Sequence, residues 1–342
     1  MRWLALSALL VGCLPTGPEP LETTTWTLTA DAPHADLTTD AGDAGAWDVR
    51  LDGWNLFLNG GESGEGRAGG IDIRLLDLEL QFDELLRSNQ ILFFFFFDSY
   101  GCALSDWWWY GLDGTHTLFS NFHTYVVQRG DRSWAWQLLD YYRPIENAAV
   151  AGHPEFRFVE IGTVDEPTVV DLDATAGGLG ADPDDPANRW TYFSFDDGVL
   201  DLEDAEAVDD PDWDLGFKRF DIKSNSGPSG PGGVLTADPD ADRGETPEDV
   251  LGFTAANQAG RFDERVAAWE ADPTAEFVAD DVRPVLDRWF SGEPGSAALV
   301  DGRWFLVSDR TGGEVAKLRV IDLVDGDAAG PESVTLEWAL LP

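Results

Sequence analysis

Along residues 47–58 apolar side chains fall on alternate positions: Trp47, Val49 and Leu51, then, past Asp52 and Gly53, Trp54, Leu56 and Leu58. A period of two predicts strand, and the phase shift at Asp52-Gly53 predicts a bulge or bend. The following stretch, Asn59-Gly60-Gly61-Glu62-Ser63-Gly64-Glu65-Gly66, is turn chemistry. Glycine reaches positive φ, and Asn and Ser side chains bond nearby backbone. The block recurs without a gap 166 residues later, with identities at Trp47/Trp213, Asp48/Asp214, Asn59/Asn225, Gly61/Gly227, Ser63/Ser229, Gly64/Gly230 and Gly66/Gly232. A phosphate-cradling loop is the rival reading, but no Gly-Lys-Ser/Thr follows and no helical pattern begins.

Each copy then closes in the same way. Apolar runs at 124–128 and 134–142 flank Arg129-Gly130-Asp131, and runs at 304–308 and 315–323 flank Arg310-Thr311-Gly312-Gly313. Both read as hairpins. Final strands are expected at 156–161 and 334–340, and Trp26-Thr27 and Trp190-Thr191 open the copies. The stretch 177–188, rich in Gly, Pro and Asp, reads as a linker. Helical patterning is confined to 260–290, for example 262–270. The 342 residues suit two domains. The expectation is an all-β chain of two tandem antiparallel β-sheet domains, 26–163 and 167–342, with minor helix.

The first residues change the picture. Met1-Arg2 precedes an apolar run, 3–11, too short to span a bilayer. This reads as a signal peptide. Leu10-Val11-Gly12-Cys13 then has the form of a bacterial lipobox, with a chance cysteine as the rival. Residues 1–13 are therefore expected to direct export and lipidation at Cys13, and 14–25, rich in Pro, Glu and Thr, to act as a tether. Leu14 gives no inner-membrane retention signal. The expected location is the outer membrane, lipid-anchored, facing the periplasm or the surface.

Charge narrows the partners. The chain has 64 acidic and 22 basic residues, a net charge of −42. Such a surface repels phosphate backbones and anionic lipid, so nucleic acid is not an expected partner. Asp238, Asp240 and Asp242 resemble half of a cation loop, but Arg243 stands where glycine is needed and Asp249 where a bidentate Glu is needed. A solvated acidic coat is the simpler reading. With Cys13 lipidated, Cys102 has no intrachain partner.

Residues 93–97 are all Phe, and Trp107-Trp108-Trp109-Tyr110 follows shortly. Such runs either pack between sheets or line a site for a flat apolar ligand. His116 and His123 lie close by. No Gly-x-Ser-x-Gly, His-Glu-x-x-His or paired-cysteine motif occurs, so no catalytic residue is assigned and an enzyme is not expected.

Several of these motifs occur in one order. Trp190-Thr191-Tyr192-Phe193-Ser194-Phe195 with Gly198-Val199, then Trp213-Asp214-Leu215, Asn225-Ser226-Gly227-Pro228-Ser229-Gly230 and Ala316-Lys317-Leu318-Arg319, resemble the HmuY-type haem-binding lipoproteins. Copy one resembles them more patchily, at Trp47-Asp48 and Asn59-Gly60-Gly61-Glu62-Ser63-Gly64. The resemblance implies antiparallel sheets, a place at the outer membrane, and haem held by axial side chains and passed to an uptake receptor. The family's ligands, usually His or Met, lie outside the shared motifs. The position carrying one of them falls near Tyr110 in copy one and Ser291 in copy two. Copy two has no His, and the one Met is Met1. Haem ligation is therefore expected in copy one, through His116, His123 or Tyr110. The alternative is a binding or adhesion module that keeps the scaffold and recognises another apolar ligand or a protein.

Overall fold

The computed structural model describes residues 21–37, 47–76, 80–88, 95–146, 148–176 and 188–342. Strands dominate, in several antiparallel sheets with few helices, the all-β architecture expected. The repeated block makes the same unit twice. Val49–Asp52 pairs with Asn55–Leu58 in copy one, and Leu215–Lys218 with Asp221–Ser224 in copy two. The bulge or bend expected at 52–53 is a full reversal, a two-residue turn with φ +55° at Gly53 and φ +53° at Arg219 in the same place. Left-handed turn residues match the twist of a tight hairpin, so the phase shift marks a reversal of the chain.

The motif's polar residues bond the loop that follows. The Asn59 amide donates to the Trp47 carbonyl at 2.7 Å and accepts from Gly66 N–H at 3.1 Å. Asn225 does the same with Trp213 at 2.8 Å and Gly232 at 2.9 Å. A side chain at Gly64 or Gly230 would lie 2.2 Å from that asparagine's Oδ1. The motif is scaffold, and the sequence spacing is the spacing of these bonds.

The two copies do not each close on themselves, which changes the expectation of sequence-contiguous units at 26–163 and 167–342. Gly70–Asp72 of copy one extends the hairpin of copy two, Phe305–Ser308 with Val315–Val324, and Ser333–Leu340 and Thr24–Leu28 complete that sheet. Val234–Ala237 of copy two extends the hairpin of copy one, Tyr125–Arg129 with Arg132–Ile145, continued by Ala148–Glu160 and Thr168–Asp171. Each Trp-Asp carboxylate, fully buried, is met by an arginine from the exchanged hairpin. Arg129 pairs with Asp214 at 2.9 Å, and Arg310 N–H donates to Asp48 at 2.6 Å. The main cores follow the same partition, one formed from 28–68 with 286–338 and one from 102–234.

The chain crosses between these bodies at Ser99–Gly101 and returns at Asp281–Arg283, and the two crossings pair antiparallel with Tyr100 opposite Val282. Asp98 and Asp280 stand just before them as counterparts. Asp98 accepts from Leu58 N–H at 2.8 Å and Val285 N–H at 2.7 Å, and Asp280 accepts from Ser224 N–H at 3.3 Å. A side chain at Gly61 or Gly227 would strike the carbonyl of Asp98 or Asp280, at 2.1 and 2.2 Å. Tyr100 and Val282 are thus repeat counterparts that face each other, so a local pseudo-two-fold axis runs between the crossings. Burial pushes both carboxyls up, each to about 7. Beside the crossing, Lys223 sits in a box of Tyr100, Trp190, Tyr192 and Trp213, its ammonium 4.5–5.4 Å from the ring centres. Burial lowers that amine to about 8.

The middle of each copy covers the outer face of the other copy's hairpin. In copy one's hairpin Trp134 and Trp136 face the main core, while Ala135 and Val159 meet the helix Ala259–Ala271 of copy two through Phe262. That helix contains the expected 262–270. Two short helices, Asp204–Ala207 and Pro247–Leu251, lie outside the region patterned as helical. In copy two's hairpin the buried Lys317 ammonium donates to the Phe82 and Leu85 carbonyls of copy one, at 2.7 and 2.9 Å.

Candidate functional site

The aromatic run of copy one forms a ribbon. Trp108–Tyr110 pairs with Leu118–Ser120, with Trp109 opposite Phe119 and Tyr110 opposite Leu118. Trp107 is buried and its indole N–H donates to the Phe220 carbonyl at 2.9 Å. Trp108, Trp109, Tyr110 and Phe119 are half-buried. The run is thus core at its first residue and half-buried at the next three, with Trp108 still packed on the core and Trp109 on the opposite face of the ribbon.

The loop joining the two strands is held by its own polar groups. Thr115 N–H donates to Asp113 at 3.0 Å, and Gly111 N–H to the Thr117 carbonyl at 2.9 Å. Gly111 and Gly114 take φ +68° and +76°, conformations that glycine adopts without steric cost. This compact loop folds His116 back onto Tyr110. The Tyr110 hydroxyl and His116 Nδ1 are 2.7 Å apart, with the rings 6.0 Å apart and inclined by 36°. Partial burial raises the Tyr110 hydroxyl above its ordinary value.

Two of the three expected ligand residues are therefore together, and the third is elsewhere. His123 is buried, with Nδ1 2.7 Å from Asp238 and Nε2 3.4 Å from Glu245. Both ring nitrogens face carboxylates, which leaves none directed at a ligand. This corrects the expectation for His123. Two of the three acids of the supposed cation loop are engaged in the same network, while Asp242 is exposed. Asp238 holds His123, and Asp240 accepts from Thr124 N–H and pairs with Arg265. Among the described residues no cluster of His, Cys, Asp and Glu has the spacing of a metal site.

Copy two makes the corresponding ribbon, Phe290–Ser291 with Ala298–Leu299. Trp289 is buried as Trp107 is, and Ser291, the last paired residue before the left-handed Gly292, stands where copy one has Tyr110 before Gly111. That ribbon carries no counterpart of the Tyr110–His116 pair. Each ribbon is also met by the hairpin turn of the other copy: Phe220 packs on Trp108 at 6.0 Å, and Trp54 on Phe290 at 4.9 Å. Phe96 adds an edge contact to Phe220 at 5.9 Å. Of the five-phenylalanine run, 93 and 94 lie outside the described residues, as does Cys13. Sequence reasoning missed Phe220, because nothing local to it signals a neighbour more than a hundred residues away.

Residues 187–338 match the HmuY protein family. A solved structure, the apo HmuY analog (TFO) of Tannerella forsythia, is 14% identical, covers 63% of this chain and 99% of its own, and has a TM-score of 0.15, too low to carry argument. No curated protein matches the chain.

Proposed function

We propose that this chain is an exported, lipid-anchored binding protein that holds haem on the copy-one ribbon, with Tyr110 as iron ligand and His116 as acceptor of its proton. The observation that carries the reading is the 2.7 Å contact between the Tyr110 hydroxyl and His116 Nδ1. A phenol ligates ferric iron as phenolate. Burial holds the Tyr110 proton more firmly, and the His116 imidazole within bonding distance would accept it were the phenolate to bind iron. Trp108 and Leu118 share the face of the ribbon that carries Tyr110 and add apolar surface beside it. The match of residues 187–338 to the HmuY family supports the ligand class. Residues 1–13 would direct export and lipidation at Cys13, 14–25 would tether the folded part, and an outer-membrane receptor would take the haem onward.

Titration of the full chain with haemin tests the ligand. A Soret shift is expected, lost or moved in Tyr110→Phe and weakened in His116→Ala, while His123→Ala leaves the spectrum as in the wild type. A spectrum unchanged in Tyr110→Phe would remove Tyr110 as ligand, and no shift in the wild type would favour a binding module for another apolar partner. The acidic coat repels the haem carboxylates, so association should quicken as salt rises. The anchor is tested separately, since Cys13→Ala should move the protein from the membrane to the soluble fraction.

A further inference from the structure

We infer that Arg219, supplied by copy two, is the carboxylate anchor of the ligand site on copy one, so that the site is composite. The inference rests on reading the copy-one ribbon as the ligand site. Arg219 and Phe220 are the turn between Leu215–Lys218 and Asp221–Ser224. The turn is fastened to the start of the ribbon, where the Phe220 carbonyl accepts from Trp107 and its ring packs on Trp108. Burial raises the Tyr141 and Tyr142 hydroxyls, and the nearby Arg219 charge opposes that rise in both. The Tyr142 hydroxyl in turn accepts from Leu118 N–H at 2.9 Å, and Leu118 is the strand partner of Tyr110. A continuous line of groups joins the charge to the proposed iron ligand.

Two further observations coincide at this arginine. The chain has 64 acidic and 22 basic residues, yet among the described residues Arg219 forms no ion pair. A cation left unclaimed in so acidic a molecule is free to meet an anion from outside. Its backbone is also left-handed, φ +53°, at the place that copy one gives to Gly53. Arginine is disfavoured there and glycine is not. Retained strain beside a site points to a role for the side chain. Haem carries two propionate carboxylates, and the planar guanidinium matches a carboxylate with two parallel bonds.

The test compares haemin with haemin dimethyl ester, whose propionates are uncharged, on the full chain. Arg219→Gln should weaken haemin binding by roughly tenfold or more and leave the ester unaffected. Arg219→Gly repeats the change with the residue copy one uses and relieves the strained φ, so it should fold and melt at least as high as the wild type. Haemin affinity unchanged in both variants overturns the inference, as does an equal loss for haemin and ester, which would mark a structural role. If the wild type binds neither ligand, the ribbon reading itself fails. If Tyr110→Phe alters both ligands' spectra while the Arg219 variants alter nothing, the ribbon stands and the anchor falls.

Discussion

At the scale of single residues, the conserved spacing between the two copies of the motif has a mechanical meaning. Trp213 is fully buried, donates its indole N–H to the Ala207 carbonyl at 2.9 Å and forms one wall of the Lys223 box. Its replacement by Ala should cost about 3–5 kcal/mol, seen as a lowered denaturation midpoint. A midpoint within error of the wild type would show that the cavity collapses at no cost. Cys102 is likewise structural. It is buried, and burial pushes its thiol up to about 12, where the reactive thiolate is absent at neutral pH. The native protein should resist aromatic disulfide reagents at Cys102, and react there only once denatured. Rapid labelling under native conditions would mean that the crossing opens.

At the scale of elements, the paired crossings concentrate the pH response. Asp98 and Asp280 have carboxyls raised by burial to about 7. A carboxyl raised in the folded state keeps its proton there while the unfolded chain has lost it, so between about pH 4 and pH 7 the native state holds more protons. Stability contributed in this way is complete below the unfolded value and is lost as pH rises through about 7. Relief of the net negative charge acts in the same direction. Lowering pH from 8 to 5.5 should therefore raise the melting temperature, by on the order of 5 °C. The slope should flatten in Asp98→Asn and Asp280→Asn. A melting temperature that falls on acidification would place the titration elsewhere.

At the scale of the whole molecule, the exchanged hairpins make two bodies from four half-copies. A protease site introduced within 177–187 should allow the chain to be cut without separating the pieces. The fragments should co-elute by size exclusion and part only in denaturant, because each sheet is completed by a strand of the other copy. Elution as two independent folded fragments would mean that the copies can close on themselves in solution. The same exchange makes the proposed site depend on both copies, since the ribbon is copy one's and Phe220 and Arg219 are copy two's.

What the sequence by itself determined is local. Alternation placed the strands, the Asn-x-Gly-x-Ser-Gly-x-Gly spacing placed the turns, and both hairpins lie where patterning put them, because these features arise from contacts within a few residues. The nearness of Tyr110 and His116 was legible for the same reason, as the two ends of one short loop. Tertiary structure decided which hairpin completes which sheet. The repeated motif offers each hairpin two partners of similar pattern, and in the structure the exchanged pairing goes with the paired crossings at Ser99–Gly101 and Asp281–Arg283. It also decided the fate of His123, whose carboxylate partners Asp238 and Glu245 lie more than a hundred residues away. The turn at Arg219 and Phe220 reached the ribbon by the same route, through a long-range pairing that no periodicity along the chain encodes.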